Sequence, residues 1–390
     1  MNTLLAVREA LLKKYHEKFD REPQLLAYAP GRIEILGNHT DYNEGYVLSA
    51  AINFGTYFAV SARDDSEGHL WAADIMEEAV FDAANPKPSK DKMWSNYVKG
   101  VLAGVNAVKN TGRGFNAMFL GNIPLGSGLS SSAALEVCSG LAFSKLYGAE
   151  ISNLELAKIG QKAEHEFAGV KCGLLDQFSS INGRKDSLVW SDFRSFVVKP
   201  VPISPSACFL LCNTNVRHAL VDGAYNERRL RCEQAAAHFA AVLDHPVAAL
   251  RDVSWEEWLR HRAELDPVTA MRCAHPIGEN ERVLSGIEML RADNVSGFGK
   301  LMFESHSSSR NYFENSCPEL DTIVDAAQAI PGVYGARLSG GGFGGSAVVM
   351  VAKDSVEDVS ASLRDVFAMK HGDRCDTRVI TCSEGAHVEA

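Results

Sequence analysis

The segment PLGSGLSSSAALE, residues 124–136, holds the residues whose types and spacing best suit chemistry. Gly126 and Gly128 allow sharp backbone turns and a close approach to a ligand. The serines at 130–132 stand where a helix should begin, and free N–H groups at a helix start favour a bound phosphate. The apolar residues 117–120 predict a strand, so the order is strand, phosphate-binding loop, helix. An ordinary serine-capped helix is the alternative interpretation.

A second polar segment is APGRIEILGNHTDYNEGYVLSAAI, residues 29–52. On a strand, Arg32 and Glu34 would share one face, with Ile33 and Ile35 on the other. The turn that follows contains several hydrogen-bonding side chains: Asn38, His39, Asp41 and Tyr42. Carboxylates accept from hydroxyls and amides both accept and donate, so this set suits a polyhydroxyl ligand. A solvated Asn/Asp turn is the alternative.

Candidate acidic groups lie in AEHEFAGVKCGLLDQFSS, residues 163–180. Asp176 follows two leucines that would partly desolvate it, so its carboxylate could accept a hydroxyl proton or orient the hydroxyl. Glu164, on the preceding predicted helix, is a hard oxygen ligand of the kind that Mg²⁺ prefers. A helix cap for Asp176 and a solvated helix face for Glu164 are the alternatives.

A glycine-rich segment, RLSGGGFGGSAVVMV, occupies residues 337–351. Its five glycines surround Phe343 and would let backbone N–H groups approach an anion or a nucleotide-binding loop. A flexible turn is the alternative interpretation.

Length and composition restrict the class of protein. With 390 residues and 46% hydrophobic content, the chain should form two domains around substantial cores. A net charge of −10 argues against non-specific nucleic-acid binding. Nine scattered cysteines without a Cys-x-x-Cys pair favour a reducing compartment. Since no apolar run is long enough for a membrane span and no signal peptide is recognisable, we expect a cytoplasmic protein without a membrane partner.

The elements that must position these residues are a mixture of helices and strands. Helices are predicted over 3–19, 94–108, 152–167 (with Ser152 as N-cap), 224–243 and most of 255–331. Strands are predicted over 25–36, broken at Pro30-Gly31, over 47–60, and as a pair around the glycine loop in 333–351. Because the elements do not alternate strictly as βαβ units, an α+β fold is favoured over a doubly wound sheet.

The four segments together resemble the GHMP kinase superfamily and, within it, the galactokinases. Two further stretches carry the closer likeness: CNTNVRHALVDGAYNERRLRCEQA, residues 212–235, and SCPELDTIVDAAQAIPGVYGARLSGGGFGG, residues 316–345. The likeness extends from about residue 29 to about residue 350. It implies a two-domain α+β GHMP kinase fold, with an N-terminal domain at 1–200, a C-terminal domain at 201–390 and the active site in the cleft between them.

The resemblance implies ATP-dependent phosphorylation of the anomeric hydroxyl of galactose, with ATP and Mg²⁺ required and a monomer acting on two small molecules. Asp176 matches the catalytic aspartate, and Arg32 the arginine that holds it. The implied sugar contacts are Asn38, His39, Asp41, Gly173 and Tyr225. The implied ATP contacts are Trp94 at the adenine, and Gly126, Ser127, Gly128, Leu129, Ser130, Ser131 and Ser132 at the phosphates. Ser132 and Glu164 match the Mg²⁺ ligands.

Two related functions remain open at this stage. A kinase for another sugar, such as N-acetylgalactosamine, would differ in the residues around the sugar. A non-catalytic galactose sensor on the same fold would carry a damaged Gly/Ser loop, whereas residues 130–134 and Asp176 are intact here.

One departure from the family pattern concerns the sugar segment. Galactokinases usually have RVNLIGEH where this chain has RIEILGNH at residues 32–39, so a carboxylate and an amide have exchanged places at Glu34 and Asn38. The usual glutamate contacts the outer hydroxyl of the sugar. We hypothesise a paired exchange in which Glu34 and Asn38 lie close together and the local inventory of one carboxylate and one amide is kept.

The exchange hypothesis predicts the behaviour of reversions. The double variant Glu34→Asn with Asn38→Glu should keep more sugar kinase activity than either single variant, because each single variant unbalances the pair. Loss of the charged acceptor alone should weaken sugar binding by about 1–2 kcal/mol. Steady-state rates against sugar concentration test this. Two singles equal to the wild type, with a double that is no better, would contradict the coupling.

Overall fold

Two β-sheets and the helices around them form the part of the chain that the computed structural model describes, residues 3–124, 126–217, 221–372 and 375–389. Residue 125 of the predicted phosphate loop and residues 218–220 of the 212–235 stretch lie outside these ranges. Helices and largely antiparallel strands are mixed along the chain, which confirms the predicted α+β class.

The larger sheet has the strand order β12-β1-β2-β5-β3-β4, and a branch in which β6 pairs with β2 and β7 with β6. Only β3 and β5 pair in parallel among these described strands. The bounds of its strands are β1 Leu25–Leu36, β2 Tyr46–Ala62, β3 Glu67–Ala72, β4 Glu77–Asp82, β5 Phe115–Gly121, β6 Ser187–Asp192, β7 Val197–Pro202 and β12 His387–Val388.

The smaller sheet is antiparallel, with the order β11-β8-β10-β9. Its strands are β8 Ala207–Arg217, β9 Val333–Ser339, β10 Gly344–Ala352 and β11 Asp376–Ile380. In β8, Phe209 and Leu211 join the main core with the larger sheet, whereas Leu210 and Cys212 join a second core that includes residues of the last helices. Both faces of this sheet are therefore buried, which fixes the glycine loop between β9 and β10 on a rigid base.

Eleven α-helices lie within the described ranges, and none of them is both long and apolar enough to cross a membrane. They are α1 Leu4–Phe19, α2 Asn96–Val108, α3 Ser131–Tyr147, α4 Asn153–Ala163, α5 Leu175–Asn182, α6 Val221–Val242, α7 Trp255–His261, α8 Pro267–Arg291, α9 Val295–Ser308, α10 Pro318–Ala327 and α11 Val356–His371.

Strand β1 is continuous where the sequence predicted a break. The prediction at Pro30-Gly31 was wrong because the two residues form a register shift between Pro30 and Arg32 within the strand. A β-bulge tolerates the missing N–H of proline. A Cβ atom on Gly31 would lie 2.6 Å from the Leu129 carbonyl oxygen, and Arg32 N donates to that oxygen at 3.1 Å. The glycine thus lets β1 touch the backbone of the predicted phosphate loop.

Helix α4 begins as predicted and ends earlier. Ser152 caps it by accepting from Glu155 N, in a capping box. The α-helix ends at Ala163, and a wider π-helical turn, Glu164–Ala168, follows. Such π turns often re-aim side chains at functional sites. Here the turn begins at Glu164, the predicted metal ligand, which is buried.

The division into domains at residue 200 stays a prediction. Most of the larger sheet comes from residues before 200 and the smaller sheet from residues after it. The chain then returns, since β12 pairs with β1 through Ala27 and Val388. The main hydrophobic core also contains residues of both sheets, such as Ile33 and Val348.

Candidate active site

A cavity of about 300 Å³ lies where β1, the turn after it, the start of α5, α6 and the glycine loop meet. That volume is at the lower end of small-molecule sites and suits one monosaccharide ring. All of the predicted catalytic and sugar-binding residues line it: Arg32, Asn38, His39, Asp41, Gly173, Asp176 and Tyr225. Residues from three separate segments of the sequence, 29–52, 163–180 and 212–235, therefore meet in one place.

Asp176 is held from both sides. Its Oδ1 lies 2.8 Å from Arg32 Nε and 2.7 Å from Arg32 Nη2, and Ser130 Oγ donates to its Oδ2 at 2.5 Å. The helix-cap interpretation is wrong, because the cap position of α5 is Leu174. Asp176 sits in the first turn of α5, where the helix dipole favours a negative charge.

Arg32 joins the carboxylate to the predicted phosphate loop. Besides its contacts with Asp176, its Nη1 donates to the carbonyl oxygen of Gly128 at 2.6 Å. Its side chain is almost wholly buried. One planar guanidinium therefore fixes the position of Asp176 relative to the loop, and its several donors have a set geometry.

The predicted phosphate loop turns through two glycines with positive φ, Gly126 and Gly128. Ser130, also at positive φ, precedes α3, and no side chain caps that helix start. The Ser130 hydroxyl instead donates its hydrogen bond to Asp176. The first N–H groups of α3 therefore have no capping side chain among the described residues, which leaves them suited to an anion.

The glycine-rich hairpin packs against this loop. Ser346 Oγ donates to the Ser127 carbonyl oxygen at 2.6 Å, and a Cβ atom on Gly340 would lie 3.7 Å from the Gly128 carbonyl oxygen. The run of glycines predicted such a close approach of the two backbones. The hairpin therefore contacts the predicted phosphate loop, and the alternative of an isolated flexible turn does not hold.

His39 and its aromatic neighbours form one wall of the cavity. The His39 ring lies 4.4 Å from the Phe313 ring and 5.3 Å from the Tyr225 ring, between centroids. Burial lowers the pKa of His39 to about 3, so the ring is neutral. Its Nε2 lies 3.3 Å from the Gly341 carbonyl and its Nδ1 3.0 Å from the Tyr42 hydroxyl, which fits a ring protonated at Nε2.

Asp41 and Gly173 are packed together at another wall. A Cβ atom on Gly173 would lie 1.6 Å from Asp41 Oδ2, so any larger residue would displace the carboxylate. Burial raises the pKa of Asp41 to about 6, and the negative charge of Asp176 adds to the rise. A hydroxyl-bearing ligand would offer this partly buried carboxylate a hydrogen bond.

Glu34 and Asn38 are in direct contact, as the exchange hypothesis requires. Asn38 Nδ2 donates to Glu34 Oε2 at 2.9 Å, and both side chains are buried. Burial raises the pKa of Glu34 to about 7, while the charges of Arg337 and Arg32 act in the opposite direction. Glu34 lines the cavity; the sequence identified it by its position on the face of Arg32 and by its exchange with Asn38.

Ser132 and Glu164, the predicted metal ligands, are hydrogen-bonded to each other at 2.8 Å between Ser132 Oγ and Glu164 Oε1. Glu136 is fully buried nearby, and burial together with the Glu164 charge raises its pKa. Its Oε1 has no hydrogen-bond partner among the described atoms. Two buried carboxylates and a hydroxyl fit a divalent cation that takes its remaining ligands from phosphate and water. The described ranges contain no group of three or more His, Cys, Asp or Glu that could hold a metal unaided.

Trp94 is the one predicted contact that stands apart from the other segments. It lies in the short helical turn Met93–Ser95 before α2, with Nε1 donating to Glu77 Oε2 at 2.7 Å. Its ring is 5.8 Å from that of Phe119 in β5, the strand that leads to the phosphate loop. The residue does not line the 300 Å³ cavity, so its role toward adenine stays a prediction.

Sequence reasoning missed Glu279 of α8, which anchors the turn after β1, where the predicted sugar contacts Asn38, His39 and Asp41 lie. Its Oε2 accepts from Gly37 N at 2.8 Å and Asn38 N at 2.9 Å, and its Oε1 accepts from Arg282 Nε at 2.5 Å. Burial alone would raise the pKa of Glu279, but the positive charges around it, with Arg282 the largest contribution and Arg337 a further one, together hold the pKa well below its ordinary value. Nothing in the local pattern of α8 indicates this role, because the partners are about 240 residues away.

Removal of this anchor should be costly. The variant Glu279→Ala is expected to lower the free energy of unfolding by about 3–5 kcal/mol, because it leaves Arg282 and two backbone N–H groups without their buried acceptor. Urea titration followed by circular dichroism measures the change. The control is Glu288→Ala on the same helix, whose side chain is 71% exposed and which should stay within about 0.5 kcal/mol. Equal stability of the two variants would contradict the anchor.

Comparison with known proteins gives the same assignment throughout the chain. Family models match at residues 13–62 (galactokinase galactose-binding signature), 96–184 (GHMP kinases N terminal domain) and 287–368 (GHMP kinases C terminal). The galactokinase of Pasteurella multocida is 41% identical over 387 residues, 98% of this chain and 99% of that protein. The galactokinase of Haemophilus influenzae (strain Rd) is 40% identical over 94% of this chain and 95% of that protein.

Solved structures agree. The Lactococcus lactis galactokinase complexed with galactose superimposes with a TM-score of 0.93 at 32% identity, over 98% of this chain and 99% of that one. The mevalonate kinase of Methanococcus jannaschii, at 19% identity and a TM-score of 0.63 over 92% of this chain and 98% of that one, shares the fold alone. With full-length relatives at about 40% identity and the signature segments matched in place, this chain belongs to the galactokinase family of GHMP kinases.

Proposed function

We propose that this chain transfers the terminal phosphoryl group of ATP to the anomeric hydroxyl of galactose, releasing ADP and galactose 1-phosphate. The observation that carries the proposal is the double contact of Arg32, with Asp176 on one side and with Gly128 of the Gly/Ser loop on the other. Phosphoryl transfer depends mainly on positioning and charge stabilisation. A single cation that touches both the acceptor side and the donor loop meets both needs.

In the proposed reaction the anomeric oxygen forms a bond to the terminal phosphorus, and the bond between that phosphorus and the bridging oxygen of ADP breaks. The hydroxyl proton passes to Asp176, or Asp176 orients the hydroxyl while the proton leaves later. Arg32 stabilises the charge that develops on the transferred group. Ser130, just before α3, donates to Asp176 Oδ2. This hydrogen bond holds the Asp176 carboxylate, in the first turn of α5, at the wall of the cavity.

For the sugar, we propose contacts from His39, Asp41, Gly173 and Tyr225, with Asn38 beside them in the wall of the same cavity. Their shared position around one monosaccharide-sized cavity supports this assignment. The family match at residues 13–62 and the galactose-bound Lactococcus lactis relative support galactose as the ligand. An active monomer is part of the proposal, since one copy of the chain brings together all of the catalytic and sugar-binding residues predicted from the family.

For the nucleotide, we propose that residues 126–132 receive the phosphates and that Trp94 contacts adenine. The uncapped start of α3 and the positive φ of both loop glycines support the first assignment. Ser132 and Glu164 would hold Mg²⁺, which would neutralise phosphate charge when bound. Both groups already lie together at the same end of α3 as the phosphate loop.

The central experiment measures ADP release with Mg·ATP and galactose, glucose, mannose, galactosamine, N-acetylgalactosamine or arabinose. We expect turnover selective for galactose, and a loss of about 10²–10⁴-fold in Asp176→Ala, because the variant lacks the carboxylate that Arg32 holds beside the phosphate loop. Asp64→Ala, whose side chain is fully exposed, is the matched control and should keep the wild-type rate. Selectivity for another sugar, or an active Asp176→Ala, would refute the proposal.

The metal assignment has its own test. Glu164→Gln should raise the Mg²⁺ concentration needed for half-maximal rate by about tenfold or more, since a carboxylate ligand becomes an amide. Glu166→Gln is the control, because Glu166 lies exposed on the same π-helical turn. Titration of Mg²⁺ at fixed ATP and galactose gives the comparison. Identical titration curves for the two variants would exclude Glu164 as a ligand.

A further inference from the structure

The side-chain amide of Asn38 makes its hydrogen bonds within the protein. Its Nδ2 donates to Glu34 Oε2 and to the Gly340 carbonyl, both at 2.9 Å, and its Oδ1 accepts from Asn315 Nδ2 at 3.1 Å. The reverse orientation of the amide would set its oxygen against a carboxylate and a carbonyl, so the assignment follows from the partners. Both amide donors are therefore used, and Asn38 is buried.

Glu34, in contrast, has one carboxylate oxygen that accepts no hydrogen bond from the described residues. Its Oε2 accepts from Asn38 Nδ2 and from Gly340 N at 3.1 Å, while its Oε1 has no hydrogen-bond partner among the described atoms. The side chain is 1% exposed and lines the 300 Å³ cavity. A buried carboxylate oxygen without a donor is costly, and a ligand hydroxyl is the kind of group that would satisfy it.

We propose that Glu34, rather than Asn38, recognises a hydroxyl of the sugar in this chain, and that Asn38 is the positioning residue that holds Glu34. The inference rests on the sugar kinase function proposed above. It deepens that function by naming a specificity-determining residue that the family pattern places elsewhere. The carboxylate has moved by four residues along the chain while staying in the same cavity.

The position of Glu34 on β1 indicates which hydroxyl it takes. Arg32 and Glu34 share one face of the strand, about 7 Å apart along it. Arg32 holds Asp176, the group proposed to act on the anomeric hydroxyl. Glu34 therefore lies toward the end of the sugar ring remote from the anomeric carbon, where the 4- and 6-hydroxyls of galactose project.

The charge around Glu34 agrees with a hydroxyl donor. Among the described residues, the charged groups that act on it most strongly are Arg337 on β9 and Arg32 on its own strand, which lower its pKa, and Asp41 on the turn, which raises it. With its pKa raised to about 7 by burial, Glu34 is partly protonated near neutral pH in the free protein. A hydroxyl donates to the ionised form, so galactose affinity should rise from pH 6 to pH 8.

The test is calorimetric binding of galactose and of its 2-deoxy, 4-deoxy and 6-deoxy analogues to the wild type and to Glu34→Gln. The wild type should lose about tenfold or more in affinity for the 4-deoxy or the 6-deoxy sugar. Glu34→Gln should bind galactose about tenfold more weakly and lose little further for that same analogue. The 2-deoxy sugar should lose the same factor with both proteins. Glu44→Gln, at a half-exposed side chain in the turn that follows β1, is the control variant.

Two outcomes would overturn the inference. One is that Glu34→Gln binds galactose with wild-type affinity. The other is that removal of each hydroxyl costs Glu34→Gln the same factor in affinity as it costs the wild type. Should Glu34→Gln not fold, the wild type alone decides. In that case the rise in affinity from pH 6 to pH 8 must be larger for galactose than for the critical analogue, because Asp41, with a pKa of about 6, acts on both sugars, and equal profiles would overturn the inference. Failure of the wild type to phosphorylate galactose is a separate result that would refute the proposed function instead.

Discussion

The Arg32 guanidinium is the contact on which the site depends. It is buried between Asp176 and the Gly128 carbonyl, so it links α5, which carries the carboxylate, with the loop before α3. The bulge at Pro30 and the absence of a side chain at Gly31 let β1 come close enough for this contact. A lysine could not reproduce it, because a point charge lacks the planar donors that meet two acceptors at fixed angles.

In and around the cavity, charges of opposite sign compensate one another. Burial disfavours the ionised carboxylates of Glu34, Asp41 and Glu279. The fully buried Arg337 opposes that penalty at Glu34 and at Glu279, where Arg282 acts in the same direction. The compensation is uneven. Glu279 is held ionised by Arg282, whereas burial raises the pKa of Glu34 and of Asp41. The first is therefore an internal anchor, and the two with raised pKa values are the groups that gain most from a ligand that donates hydrogen bonds.

The sequence was sufficient for the parts of this site that depend on local pattern. Strand alternation placed Arg32 and Glu34 on one face, and serines after a strand placed the start of α3. It was insufficient where tertiary packing decides. The Pro30-Gly31 pair predicted a break and formed a bulge, because β1 is paired on both sides along part of its length. Glu279 of α8 and Asn315 of the loop before α10 reach the turn after β1 from far along the chain, and their own surroundings in the sequence contain no signal for that contact.

The exchange at positions 34 and 38 shows that a residue's role in a family motif must be checked against the contacts that its side chain makes. A change at one position alone would bury either two amides or two carboxylates within hydrogen-bond distance of each other, and the second case is strongly unfavourable without a proton between them. The backbone N–H of Gly340 and the charge of Arg337 require one carboxylate in this pocket but do not fix which residue supplies it. The physical constraint is the number of charges in the network, so a sugar-binding role follows the carboxylate and not the position in the motif.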